Sequence, residues 1–178
     1  LINYKNLIDA IDKITQPDGL GMSPSRITVS TSGISKMIIK MADDQVRFEL
    51  AVSLHSARQE LRSQLMPFAE KFPLKDLADS ILYWHEKTAK IVTYEYIVWK
   101  GINDHDQDIR ALIDFCKIAP CKVNLIEYNS IGDDQFFQAD KDRIKAYQNA
   151  LEAQKIPVTV RRSRGKDIDA ACGQLANK

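Results

Sequence analysis

The stretch Glu49-Leu50-Ala51-Val52-Ser53-Leu54-His55 is an apolar run, too short for a helix, that ends in polar side chains. Val123-Asn124-Leu125-Ile126 is a second run of the same kind. Nearly continuous apolar runs of this length are typical of parallel strands whose two faces are both covered. Short β-branched segments favour strands at five places, which are residues 26–30, 50–54, 91–98, 123–128 and 158–161.

Helical spacing of apolar residues appears in five further segments, which fall within residues 4–14, 34–41, 74–85, 109–116 and 144–151. Strands that alternate with helices predict βα units around a parallel sheet, so the fold class is α/β. The spacing leaves a barrel-like and a doubly wound arrangement equally open. The 178 residues contain no internal linker or repeat, and we expect a single domain over 1–178.

The charge balance gives no global signal for nucleic acid, because 25 Lys and Arg residues nearly cancel 24 Asp and Glu residues. The one dense basic run is Arg161-Arg162-Ser163-Arg164-Gly165-Lys166, which is a candidate nucleic-acid contact or a solvated edge strand with ordinary surface charge. No apolar run is long enough to cross a bilayer, and the chain opens on an amphipathic pattern. We therefore expect a cytoplasmic protein with reduced cysteines and no membrane partner.

Polar residues follow the predicted strands at their carboxyl ends. These exits are Ser30-Thr31-Ser32-Gly33, Ser53-Leu54-His55-Ser56, Glu127-Tyr128-Asn129-Ser130 and the basic run. Functional groups of parallel βα folds collect at that end of the strands, so we expect these residues to share one rim. The first exit has an alternative interpretation as a simple helix N-cap. Its backbone N–H groups would also suit a carboxylate or a phosphate.

Cys172 lies in Asp167-Ile168-Asp169-Ala170-Ala171-Cys172-Gly173-Gln174-Leu175, between residues with little bulk. Four cations shortly upstream would favour its thiolate form. The alternative is a small buried cysteine. Cys116 completes an apolar helical stripe and Cys121 precedes a strand, so both are predicted to be structural.

Several blocks of the chain resemble, in order and spacing, the radical S-adenosylmethionine (SAM) enzymes that methylate C2 of an adenine in 23S ribosomal RNA. The matching blocks are Arg26–Gly33, Ala51–His55, Leu61-Arg62, Met66-Pro67, Glu95-Tyr96, Asn103-Asp104, Cys121–Ile126 and the cysteine tail at 161–178. The resemblance implies the C-terminal part of a radical SAM partial (β/α)6 barrel with five mostly parallel strands. It further implies SAM contacts by Ser30, Ser53, Leu54, His55 and Asn129, and a methyl group carried by Cys172.

The implied reaction uses two molecules of SAM and a [4Fe–4S] cluster. One SAM methylates the Cys172 sulfur, and a second is cleaved reductively to a radical that activates this methyl group for addition to adenine C2. The basic side chains Arg161, Arg162, Arg164 and Lys166 would hold phosphates beside a base that is turned out of its stack. The resemblance implies two further partners, which are transfer RNA as a second substrate and an electron donor for the cluster.

The chain departs from the family pattern in what it lacks. It contains no Cys-x-x-x-Cys-x-x-Cys cluster motif, no Gly-Glu-Pro segment and no upstream cysteine to resolve a protein–RNA adduct. We therefore expect a C-terminal portion that is catalytically inactive alone. Methylation at adenine C8 by the same chemistry, or a non-catalytic RNA-binding domain, remains an alternative.

Overall fold

The computed structural model describes residues 3–129 and 135–161. The helices are α1 (Tyr4–Thr15), α2 (Ser35–Asp43), α3 (Gln59–Leu65), α4 (Leu74–Thr88), α5 (Asp106–Cys116) and α6 (Lys141–Ala153). The strands are β1 (Thr28–Thr31), β2 (Glu49–Ser53), β3 (Val92–Val98), β4 (Cys121–Glu127) and β5 (Val158–Arg161). Short 3-10 helices cover Pro24–Arg26 and Pro67–Glu70.

The five strands form one parallel sheet in the order β1-β2-β3-β4-β5. Each strand therefore pairs with the next one along the chain, and the order never reverses. A doubly wound sheet requires such a reversal to place helices on both faces. Because parallel crossovers share one hand, sequential order keeps the helices on one side, as in a barrel. This decides between the two arrangements that the sequence left open.

The hydrophobic core lies between the helices and one face of the sheet. Alternate strand residues such as Leu50, Val52, Tyr94 and Tyr96 are fully buried there. They pack with helical residues from every helix except α3, including Ile11, Ile38, Leu77, Trp84, Leu112 and Leu151. Burying these side chains supplies the main stabilising free energy of the fold, about 1.5–3 kcal/mol for each large aliphatic residue.

The opposite face of the sheet is mixed, so the prediction of strands covered on both faces is met only in part. Ala51 and Thr93 are buried on this face, but Ser30 and Lys122 are exposed. Glu95 and Asn124 are half-buried beside them. A barrel interior is the usual place for such a face, because its polar side chains can meet a ligand instead of helices.

The predicted elements agree with the structure except around α3 and at the starts of β1 and β4. Strand β4 begins at Cys121, which was predicted to precede it. Helix α3 is short and buries a charged residue, Arg62, so it lacks the apolar spacing on which helix prediction depends. The first strand begins at Thr28 and not at residue 26, because the turn over Pro24–Arg26 precedes it.

Candidate active site

The carboxyl edge, formed by the carboxyl ends of the strands and the residues that follow them, gathers the predicted site residues. Ser30 is exposed on β1, Ser53 is half-buried at the end of β2, and Asn129 is buried just after β4. Register joins Ser30 to Ala51 and Ser53 to Glu95, so these side chains lie at one end of neighbouring strands. The prediction that the exits share one rim agrees with this topology.

Leu54 plays a different part from its neighbours. Its side chain is fully buried in the core. Its backbone N–H donates to the carbonyl of Glu95 at 3.0 Å, and its carbonyl accepts from Ser56 N–H at 2.7 Å. Only the backbone of Leu54 could therefore face a ligand, and its role in this structure is to fix the turn between Ser53 and His55.

His55 adopts a left-handed backbone conformation, with φ of 56°. Its ring Nδ1 accepts the backbone N–H of Ile97 at 3.2 Å. Since a backbone N–H can only donate, Nδ1 carries no proton and the proton of the neutral ring resides on Nε2. Burial, aided by the charge of Arg62, lowers the pKa of His55 to about 4. His55 is thus a neutral hydrogen-bond donor at ordinary pH.

The β1 exit is a tight turn, not a helix cap. The Thr31 hydroxyl accepts the N–H of Gly33 at 3.1 Å, whereas α2 begins at Ser35 without a side-chain cap. Gly33 has φ of 99°, and a Cβ there would lie 3.2 Å from both Arg62 and Leu77. The N-cap interpretation of this segment is therefore wrong, and glycine is needed for close packing as well as for its backbone angle.

Arg62 lies under this turn and was not predicted as a site residue. It is fully buried, and its Nη2 donates to the carbonyl of Ser32 at 2.8 Å. The guanidinium also sits 5.6 Å from the ring centre of Phe68. Burial lowers the pKa of Arg62 to about 10. Among the described residues, the Arg62 guanidinium hydrogen-bonds only to the β1 exit, and its buried charge supplies positive potential next to His55.

Three polar residues lie in register across the sheet on the face away from the helical core. Ser53 pairs with Glu95, which pairs with Asn124. The Asn124 amide donates to Glu95 Oε1 at 2.9 Å, and Glu95 Oε2 is buried without a hydrogen bond. The alternation of polar with apolar residues along β3 and β4 could have predicted this polar row. It was missed because these segments are mostly apolar.

Aromatic rings surround His55 on the β3 side. The Trp99 ring lies 5.7 Å from the His55 ring in an edge-on arrangement, and 5.5 Å from Phe136. Tyr128 lies 6.3 Å from Trp99. Trp99 thus covers one side of the imidazole, in agreement with the desolvation that lowers the pKa of His55.

The other predicted residues are those of the basic run and the three cysteines, and only some of them lie in the part of the chain that the structure describes. Arg161 is exposed at the end of β5, next to β4 at the carboxyl edge. Arg162, Arg164, Lys166 and Cys172 lie outside the described residues. Cys116 and Cys121 are buried at the opposite end of β4, as predicted for structural cysteines.

Two kinds of feature are absent from residues 3–129 and 135–161. That part of the chain holds no group of three His, Cys, Asp or Glu residues able to bind a metal ion. None of its helices is long and apolar enough to span a bilayer.

Comparisons with known proteins show what the chain is similar to. Three relatives carry the name probable dual-specificity RNA methyltransferase RlmN, and the whole chain aligns with part of each. They come from Flavobacterium psychrophilum (64% identity), Cytophaga hutchinsonii (47%) and Alkaliphilus oremlandii (42%). The chain spans about half the length of these relatives, from 49% to 52%. A search with protein-family models found no match.

Solved structures agree with the sequence relatives. A radical SAM methyltransferase from Sphaerobacter thermophilus superposes with a TM-score of 0.92 at 36% identity, covering 97% of this chain and 50% of its own. A domain of pyruvate-formate lyase-activating enzyme from Bacteroides vulgatus superposes with a TM-score of 0.66 at 15% identity, which indicates the fold alone. The predicted radical SAM barrel architecture is confirmed.

Proposed function

We propose that the protein containing this chain is a radical SAM methyltransferase that modifies C2 of an adenine in 23S ribosomal RNA. The observation that carries the proposal is the carboxyl edge itself, where the Ser53–His55 turn and Asn129 adjoin a polar sheet face in a chain homologous to named RNA methyltransferases. We also propose transfer RNA as a second substrate. Because both RNA substrates occur in the cytoplasm, we propose a cytoplasmic location.

SAM fits the residues of the carboxyl edge. Its methionine and ribose parts require polar contacts, which Ser30, Ser53 and Asn129 would provide, while His55 Nε2–H would serve an acceptor group. When bound, SAM supplies the methyl group. The chain's own residues hold the cofactor, orient it against the polar face and exclude water with the rings around Trp99.

A [4Fe–4S] cluster does not fit the residues of this chain. The three cysteines are Cys116, Cys121 and Cys172, and no two of them have the spacing of a cluster motif. Cys116 and Cys121 are also buried at the end of β4 away from the carboxyl edge. We therefore assign no cluster ligand here, and propose that the cluster and its electron donor belong to the rest of the protein.

Cys172 is the proposed acceptor of the methyl group. Adenine C2 is not nucleophilic, so direct polar transfer of a methyl group to this carbon is unfavourable. A thiolate accepts a methyl group readily, and four cations at 161–166 would favour the thiolate form of Cys172. The same cations, Arg161, Arg162, Arg164 and Lys166, are proposed to hold RNA phosphates next to the target base.

The test is Cys172→Ala in the full-length protein, with ribosomal RNA as substrate and mass spectrometry of the digested nucleosides as readout. We expect loss of 2-methyladenosine formation with SAM affinity retained, because the thiol carries the methyl group and is not the main contact to the cofactor. The matched control is Cys116→Ala, which removes a buried structural thiol and should leave methylation in place.

Each outcome is decisive for one part of the proposal. Methylation of C2 by the Cys172→Ala protein would contradict the role of Cys172. A product methylated at C8 in the unmodified protein would contradict the assigned position. RNA binding without any methylation by the unmodified protein would favour a non-catalytic RNA-binding domain.

A further inference from the structure

We infer that Asn103 is a positioning residue of the proposed SAM site, which holds His55 so that its ring Nε2–H meets a hydrogen-bond acceptor of the ligand. Asn103 follows β3 and lies within the turn that leads to α5. The identity of the ligand rests on the proposed function. The positioning of His55 by Asn103 rests on the hydrogen bonds of the Asn103 side chain.

The side chain of Asn103 is fully buried, and every group of it is engaged. Its Oδ1 accepts the backbone N–H of Trp99 at 2.7 Å. Its Nδ2 donates to the carbonyls of His55 and Ile97, both at 2.8 Å. Only a primary amide offers one acceptor and two donors in this arrangement. A carboxylate of the same shape would face two carbonyl oxygens, and an apolar side chain would leave three backbone groups unpaired.

The His55 backbone needs such a restraint. Its φ of 56° lies in the left-handed region, which is disfavoured for a residue with a Cβ. The His55 N–H points to the Glu95 carbonyl at 3.4 Å, which is a long hydrogen bond. Of these two hydrogen bonds to the His55 backbone, the one from Asn103 to the carbonyl is therefore the shorter and better.

The ring of His55 depends on the same amide. Nδ1 of the ring accepts the N–H of Ile97, and the carbonyl of Ile97 is held by Asn103. Asn103 thus fixes the backbone of His55 and also the residue that orients its ring. Nε2 makes no hydrogen bond to the residues that the structure describes, and His55 is half-buried, so part of it stays open to solvent. A ligand at the carboxyl edge can therefore use it.

The test is a double-mutant cycle on SAM binding by the full-length protein, with equilibrium dialysis as readout. His55→Gln should weaken SAM binding about five- to tenfold, the effect of losing one neutral hydrogen bond. Asn103→Leu should weaken it by a similar factor. If Asn103 acts through His55, Asn103→Leu should cause no further loss in the His55→Gln background. Losses that multiply in the double variant would overturn the inference.

A second readout follows the positioning directly and does not require SAM. Hydrogen exchange of the Ile97 amide, resolved by mass spectrometry, should accelerate in Asn103→Leu because the ring that accepts this N–H is released. Thr88→Val is the matched control, since Thr88 also uses its side chain in two hydrogen bonds, to Trp84 and Lys90, at the far end of α4. It should lower the unfolding temperature without changing Ile97 exchange or SAM affinity.

Two further outcomes separate this inference from the proposed function. If Asn103→Leu fails to fold, Asn103→Asp keeps the acceptor for Trp99 N–H and replaces the two donors by a carboxylate oxygen that faces the carbonyls of His55 and Ile97, and the same cycle applies. If the unmodified protein does not bind SAM, the proposed function fails, while accelerated Ile97 exchange would still support the positioning role. Unchanged Ile97 exchange in both variants would overturn that role regardless of SAM.

Discussion

At the scale of single residues, His55 shows how one backbone N–H determines the chemistry of a side chain. The N–H of Ile97 occupies Nδ1, and protonation of the ring would turn this hydrogen bond into a contact between two donors. Burial, together with the Arg62 charge, already lowers the pKa of His55 to about 4. The residue is therefore suited to donate from Nε2 and unsuited to serve as a general base near neutral pH.

This lowered pKa predicts a pH-dependent stability. In the unfolded chain His55 titrates near 6.5, so between about pH 6.5 and pH 4 the unfolded state binds a proton that the folded state does not. The free energy of unfolding should fall as pH decreases through this window, by about 3 kcal/mol from His55. Urea titrations of the 178-residue chain at several pH values measure it, and the difference from His55→Gln isolates the contribution. Equal slopes in both proteins would contradict the low pKa.

The three cysteines are predicted to differ in reactivity. Cys116 and Cys121 are only 5% and 8% exposed, and the neighbouring Cys121 thiol together with burial raises the pKa of the Cys116 thiol, so Cys116 should resist alkylation in the native chain. Cys172, between small residues and downstream of four cations, should react first. Peptide mapping after brief labelling with iodoacetamide measures the order. Labelling of Cys116 before Cys172 would contradict the prediction.

At the scale of elements, the start of α5 is held by a buried carboxylate. Asp108 has a fully buried side chain that pairs with Arg58 at 2.9 Å and accepts the backbone N–H of His105 at 3.2 Å. The ion pair joins the segment before α3 to α5, and the second bond caps the helix. These two contacts connect the exits of β2 and β3, next to the turn that holds His55.

We expect Arg58→Ala to destabilise the chain by about 2–4 kcal/mol, because it leaves the Asp108 carboxylate buried without its cation. The matched control is Lys75→Ala, which breaks an exposed pair with Asp79 at 2.8 Å. Exposed pairs contribute less than about 1 kcal/mol. Chemical denaturation of both variants measures the difference, and similar losses in the two would show that the Arg58–Asp108 pair is not special.

At the scale of the whole molecule, β1 is an edge strand of the described sheet. Glu49 N–H donates to the carbonyl of Ile27, so the backbone groups of Ile27 and Val29 face β2. In a parallel ladder the groups of Thr28 and Ser30 then face the other way. An edge of this kind can accept a further strand, either from the rest of the protein or from a second copy.

We predict that the isolated 178-residue chain self-associates through this edge, with apparent mass rising with concentration in analytical ultracentrifugation. Thr28→Pro removes an outward N–H without removing a bond to β2, and the backbone of Ile27, with φ of −101° and ψ of 127°, tolerates a following proline. This variant should be monomeric. Thr28→Val keeps the N–H and should associate as the unmodified chain does. Association that persists in Thr28→Pro would place the contact elsewhere.

The sequence by itself determined the βα alternation, five parallel strands and the polar exits that collect at one end of them. Local periodicity and residue type carry this information, because a strand such as Leu50–Leu54 must bury its apolar side chains wherever it lies. The resemblance of ordered blocks added the family. Helix α3 escaped prediction because it buries Arg62 in place of an apolar stripe.

Tertiary structure alone decided the rest. The sequential strand order makes the sheet part of a barrel. The sequence could not show this, because a sequential and a reversing strand order would bury the same apolar residues. The neutral state of His55 depends on its burial, and also on Ile97 and Arg62, which lie 42 and 7 positions away in the chain. Asn103 reaches the His55 carbonyl across 48 positions. Hydrogen bonds and local electric fields act over a few ångströms of space, and a linear pattern does not record which distant groups the fold will bring within that range.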